Sequence, residues 1–151
     1  MSADVRRAET KARADTPRWR VLVVDDEPPA RAKLRRFLEQ CPEVGVVLEA
    51  RDGTAALHVL GSEAVDVLFL DIQMPGTNGL AVADAIANLP HAEQVPVVFV
   101  TAHAEHAVQA FNLTALDYLL KPWDGDRCAA PVDRIRHAMQ WRRRRTGLAT
   151  S

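Results

Sequence analysis

The chain has 151 residues, 48% hydrophobic and 26% charged, with a formal net charge of −1. That balance suits one globular domain with a full core and excludes low-complexity and collagen-like chains. No apolar run approaches the roughly 18 residues that a membrane-spanning helix needs.

The N-terminus lacks the apolar stretch of a signal peptide, and Cys41 and Cys128 lack metal-type spacing. Both features point to a cytoplasmic protein with reduced thiols, a structural disulfide being the alternative. The small net charge hides an asymmetry. Residues 1–20 carry six Arg/Lys and three Asp/Glu, residues 134–151 carry six Arg and no acid, and residues 21–133 carry seven basic and seventeen acidic residues. An acidic body suits a cation site, and the basic ends read as solvated tails or linkers rather than nucleic-acid contacts.

Residues 1–18 are polar and Ala-rich, and read as a disordered basic N-terminal tail. A globular domain is expected over 19–141, followed by an Arg-rich tail or truncated linker over 142–151. Strand and helix patterns alternate five times from Arg20 onward. The first strand is expected at 20–24 and the first helix at 29–40, with Leu34, Phe37 and Leu38 on one stripe before Cys41-Pro42. A strand at 44–49 precedes a helix at 54–60 that Gly61 is expected to stop. The third strand is read at 65–70, and Met74-Pro75-Gly76-Thr77-Asn78-Gly79 as a loop. A helix at 79–88 ends at Leu89-Pro90. A strand at 95–100, a helix at 104–111, a strand at 116–120 and a helix at 127–145 complete the pattern. Pro131 conflicts with a start near Asp126, so that last helix is expected to begin later or to kink. The alternation predicts an α/β, doubly wound parallel sheet with right-handed crossovers.

Four of the apolar runs stop at polar residues: Asp25-Asp26, Asp71, Thr101 and Lys121. Runs that are apolar on both sides suit strands buried on both faces, whose carboxyl ends share one edge of the sheet. Three carboxylates crowded there repel one another and favour a divalent cation such as Mg²⁺. Taken alone, Asp25-Asp26 is more often a helix cap, Thr101 a β-branched strand residue and Lys121 a solvated turn residue. Asp71 opens the segment D-I-Q-M-P-G-T-N-G-L, whose proline-glycine loop leaves the strand end open, so its carboxylate can attack a phosphoryl group. Lys121 can pair with Asp71, and the following Pro122 makes Lys121-Pro122 a candidate cis peptide. Ala102 beside Thr101 leaves room for a phosphoryl donor. Trp123 and Trp141 read mostly as packing, with Trp141 a candidate for a partner surface.

The motifs V-L-V-V-D-D-E-P, L-F-L-D-I-Q-M-P-G-T-N-G-L, F-V-T-A and A-L-D-Y-L-L-K-P jointly resemble the CheY-like response-regulator receiver family over about residues 20–141. D-D-E-P-P-A-R, T-A-H-A-E-H-A-V-Q-A-F and L-K-P-W resemble its LytTR (LytR/AlgR-type) branch. The resemblance implies a flavodoxin-like (βα)5 receiver fold, a five-stranded parallel sheet in the order 2-1-3-4-5. It implies Asp71 as phosphoacceptor. Asp26, Asp71 and the backbone carbonyl of Gln73 would ligate Mg²⁺, with Asp25 acting through water. Thr101, Ala102 and Lys121 would surround the phosphoryl group, and Thr101 and Tyr118 would form the switch. Gln73 and His103 occupy positions that tune dephosphorylation in the family; His103 and His106 otherwise read as surface residues. The implied partners are a sensor histidine kinase and a second copy on activation, through the face of the fourth helix, fifth strand and fifth helix. DNA would be reached only through a domain absent from this chain. Two other readings stay open: a stand-alone receiver acting by protein–protein interaction, and a phosphatase or phosphotransferase using an aspartyl phosphate. The latter needs an acid two residues after its nucleophile, where Gln73 stands.

Overall fold

The computed structural model describes residues 18–89, 95–103, 105 and 115–150. Its main sheet has five parallel strands: β1 (Trp19–Val24), β2 (Val44–Ala50), β3 (Val67–Asp71), β4 (Val97–Thr101) and β5 (Asp117–Leu120). Their order is β2-β1-β3-β4-β5, as the resemblance implied. The helices are α1 (Pro28–Glu39), α2 (Gly53–Ser62), α3 (Gly79–Ala87) and a C-terminal α4 (Gly125–Thr150). The helix expected at 104–111, with His106, lies almost wholly outside the described residues, as does the N-terminal tail up to residue 17. Among the described residues no helix is long and apolar enough to cross a membrane.

Strand residues alternate between two apolar layers because successive side chains point to opposite faces. Val21, Val23, Val67, Phe69, Val98 and Val100 join Leu34 and Leu38 of α1 and Cys128, Val132 and Ile135 of α4. Leu22, Val24, Leu68, Leu70 and Phe99 join Ala56 and Leu60 of α2 and Val82 and Ile86 of α3. With a layer on each side, β3 is buried at every position. Its Phe69 is fully buried, a site where truncation to Ala costs about 3–5 kcal/mol. Cys41 and Cys128 are both free thiols.

Three local expectations change. α2 runs past Gly61 to Ser62, because a glycine in the last turn weakens a helix without ending it; the chain departs at Glu63, whose backbone is extended. The segment expected as a loop closes into a short hairpin, Gln73 opposite Asn78 and Met74 opposite Thr77. Pro75 and Gly76 supply the fixed φ and the positive φ (71°) that a two-residue reversal needs. The last helix starts at Gly125, earlier than expected, and continues through Pro131 to Thr150. Asp124 anchors its start by accepting from the Arg127 N–H at 2.9 Å, and Pro131 deletes only its own N–H from the second turn.

Gly79 opens α3 directly beneath the end of β3, donating its N–H to the Ile72 carbonyl at 2.8 Å. A Cβ at this position would lie 2.2 Å from the Asp71 carbonyl oxygen and 2.7 Å from the Ile72 Cα. Only glycine permits that approach of two backbones. Gly79→Ala is therefore expected to lower unfolding stability by about 2–3 kcal/mol in urea titrations. A loss below about 0.5 kcal/mol would show that the helix can shift freely away from Asp71.

Candidate functional site

The parallel register sets the carboxyl ends of β1, β3, β4 and β5 side by side. Asp25 and Asp26 follow β1, Asp71 ends β3, Thr101 ends β4, and Lys121 follows β5. Carboxylate oxygens of Asp25, Asp26 and Asp71 lie within 4.8 Å of one another. Asp25 and Asp71 are each 5% exposed, so neither charge is well solvated. A hard divalent cation fits such an all-oxygen set, and the three carboxylates could hold Mg²⁺ together with waters and carbonyls.

Lys121 lies among these acids. Its Nζ donates to Asp25 Oδ2 at 2.8 Å and stands 3.6 Å from Asp71 Oδ2. The pairing read from the sequence was with Asp71, but Asp25 is the nearer partner. The other Asp25 oxygen accepts from the Glu27 N–H at 2.9 Å, so both of its oxygens are engaged. The Arg31 guanidinium binds the Asp25 carbonyl at 2.7 Å and ties the start of the β1–α1 connection to α1. Asp71 Oδ1 accepts from the Gln73 N–H at 3.1 Å; the Gln73 side chain itself is exposed.

Thr101 is fully buried, and its hydroxyl accepts from the His103 N–H at 3.0 Å. The Thr101 carbonyl accepts from the Lys121 N–H at 2.7 Å, linking the ends of β4 and β5. Ala102 is exposed beside it. Tyr118 is half-buried against the layer formed by α2 and α3. The Lys121–Pro122 peptide bond is cis.

The structure adds contacts that no motif marks. Trp123 packs edge-on against Phe37 of α1, with centroids 5.9 Å apart. Lys33 of α1 places its Nζ 4.2 Å above the Trp123 ring and donates to the Trp123 carbonyl at 2.6 Å. A helical stripe through Leu34, Phe37 and Leu38 is visible in sequence, but the contact of Phe37 with Trp123, far along the chain, is not.

Comparison with known proteins gives one coherent answer. Residues 21–133 match the family described as response regulator receiver domain. The chain is 43% identical over 120 residues to the transcriptional regulatory protein BtsR of Escherichia coli, covering 78% of this chain and 48% of that protein. It is 38% identical over 121 residues to the sensory transduction protein LytT of Bacillus cereus, covering 80% of this chain and 48% of that protein. The chain thus spans about half the length of the curated relatives it matches. Among solved structures, the response regulatory domain of mrkE from Klebsiella pneumoniae is 34% identical with a TM-score of 0.73, covering 81% of this chain and 98% of that one. The response regulator TrrA of Thermotoga maritima, solved with Mg²⁺ and beryllofluoride, is 31% identical with a TM-score of 0.68, covering 78% of this chain and 98% of that one.

Burial pushes the Asp71 carboxyl up to about 6, and the neighbouring Asp25 and Asp26 charges add to the rise, while Lys121 and the Gln73 N–H oppose it. Burial also works against the Lys121 charge, but the Asp25 hydrogen bond and the Asp71 carboxylate more than offset it and raise its pKa. Because the Asp71 value is raised on folding from 3.8 to about 6, the native state binds more protons than the unfolded state between those values. Stability from this group is therefore present at low pH and is lost as pH rises through about 6, a cost of about 3 kcal/mol at neutral pH without metal. Asp71→Asn is expected to stabilise the metal-free protein at pH 7.5 by about 1–3 kcal/mol, and the gain should fade toward pH 4. Denaturant titrations in EDTA at both pH values check this, and a variant less stable than the parent at pH 7.5 contradicts it.

Proposed function

The chain belongs to the response regulator receiver domain family, and on that premise we propose that it is a phosphorylation-driven switch of two-component signal transduction with Asp71 as phosphoacceptor. The observation that carries the proposal is the Lys121 ammonium set between Asp25 and Asp71, with Asp26 completing the acidic cluster. A sensor histidine kinase is the proposed donor. An Asp71 carboxylate oxygen attacks the phosphorus of its phosphohistidine, the new O–P bond forms as the P–N bond breaks, and the imidazole leaves with a proton.

Asp26, Asp71 and the Gln73 carbonyl would hold Mg²⁺, with Asp25 acting through water because both of its oxygens are already engaged. Bound Mg²⁺ supplies positive charge that offsets the carboxylates and the incoming phosphoryl oxygens. Lys121 is near enough to Asp71 to accept a phosphoryl oxygen as partner while it stays bonded to Asp25. The Thr101 hydroxyl gives up its bond from the His103 N–H and turns to the phosphoryl group; Ala102 leaves room for the donor. Tyr118 then turns inward, shifting the population toward an active arrangement of β5 and its neighbours.

The chain itself acts as a signalling domain and not as a turnover enzyme. Gln73, an amide two residues after Asp71, cannot act as the acid/base that an aspartyl-phosphate phosphatase needs. The name of BtsR, a transcriptional regulatory protein, points to transcription as the output. That output would run through a LytTR DNA-binding domain outside this chain, with a homodimer forming on activation. A stand-alone receiver acting by protein contact is the second reading.

Incubation with a phosphorylated kinase domain and Mg²⁺ should label the wild-type protein, and EDTA or Asp71→Asn should abolish labelling; retained label in the variant would sink the assignment. Light scattering on a sizing column should show a monomer-to-dimer shift with Mg²⁺ and beryllofluoride that Asp71→Asn lacks. A monomer throughout would remove the homodimer from the proposal.

A further inference from the structure

We infer that Lys33 and Trp123 are positioning residues that act through Lys121, clamping its segment so that the ammonium stays over the acidic site. The inference rests on the phosphoacceptor reading. The segment from Lys121 to Trp123 is tied at two ends. At one, the Lys121 N–H donates to the Thr101 carbonyl at 2.7 Å. At the other, the Trp123 carbonyl accepts from Lys33 Nζ at 2.6 Å. The Trp123 ring, 8% exposed, is held edge-on against Phe37 and beneath the Lys33 ammonium, 4.2 Å from its centroid.

A clamp matters here because the segment borders a void. A cavity of about 80 Å³ opens beside it, lined by Asp25, Lys33, Leu34, Phe69, Lys121 and Trp123. Protein interiors normally fix a side chain by close packing on all sides. Where the segment borders the cavity its packing is incomplete, and α1 supplies an added fixed point through one cation above a ring and one hydrogen bond to a carbonyl. Arg31 of the same helix binds the Asp25 carbonyl at 2.7 Å. One helix therefore references both partners of the Asp25–Lys121 pair. A small displacement of a positioned group is enough to cost a large factor in function.

Beryllofluoride separates Lys121 from the metal ligands, because the phosphoryl mimic needs both whereas Mg²⁺ needs only the acids. Titrations of Mg²⁺, and of beryllofluoride at saturating Mg²⁺, are followed by tryptophan fluorescence in the Asp71 wild-type background, with ¹⁹F NMR of the bound fluoride for variants lacking Trp123. Lys33→Met and Trp123→Leu are each expected to weaken beryllofluoride binding about tenfold while changing Mg²⁺ affinity less than about twofold. Lys33→Arg should restore most of the loss, since it keeps both the charge over the ring and the donor. The double variant should bind about as weakly as the worse single variant, because both changes release one clamp. Lys33→Met alone decides the matter if Trp123→Leu fails to fold. Wild-type binding in Lys33→Met, equal losses for Mg²⁺ and beryllofluoride, or fully additive losses in the double variant would overturn the inference and leave the phosphoacceptor reading intact. A folded wild-type protein that binds no beryllofluoride would overturn that reading, and the inference with it.

Discussion

An ammonium 2.8 Å from one buried carboxylate and 3.6 Å from another is what allows acidic groups to share the end of this sheet. Two nearly buried aspartates and a third beside them carry a large mutual repulsion in a poorly solvated place. Lys121 relieves part of it, chiefly at Asp25. At Asp71, burial pushes the carboxyl up to about 6 and the Asp25 and Asp26 charges add to the rise, against the opposing pull of Lys121. A divalent cation held among the three carboxylates would relieve the repulsion that remains.

The rest of the fold can be understood as the scaffold that keeps those charges in register. Parallel pairing of β1, β3, β4 and β5 brings Asp25, Asp71, Thr101 and Lys121 to one edge without further instruction. Apolar layers on both faces make a slip of one residue expensive, because it would exchange the two layers. Gly79 lets α3 begin against the very end of β3, so the Asp71 backbone has a floor. Thr101 and Lys121 are joined by a backbone hydrogen bond that holds the ends of β4 and β5 together. The Thr101 hydroxyl accepts from the His103 N–H just beyond the end of β4.

Helix α1 has a larger part in the site than its sequence suggests. Its inner stripe packs on the sheet through Leu34 and Leu38, and Phe37 and Lys33 carry that rigidity outward to Trp123. Arg31 extends the same support to the Asp25 backbone. The acids and the lysine thus sit on strand ends, while the geometry between them is supported from one helix.

Much of this was legible from the chain alone, for definable reasons. Continuous apolar runs such as Val67–Leu70 can only be buried on both faces, which points to a parallel sheet, and a polar residue at the end of each run has only one edge to occupy. Hence the strands, their order through family resemblance, and the cluster of Asp25, Asp26, Asp71, Thr101 and Lys121 followed from local pattern. Local signals failed where neighbours outside the window decide. Gly61 reads as a stop but lies within a helix that packs through Leu60; Pro75-Gly76 reads as loop but closes a hairpin; Pro131 reads as a late start but is carried in a helix whose face is buried through Val132 and Ile135. The choice of Asp25 over Asp71 as the nearer lysine partner, and the reach of Lys33 to Trp123, belong to tertiary structure alone. They depend on distances between residues far apart along the chain, which no periodicity encodes.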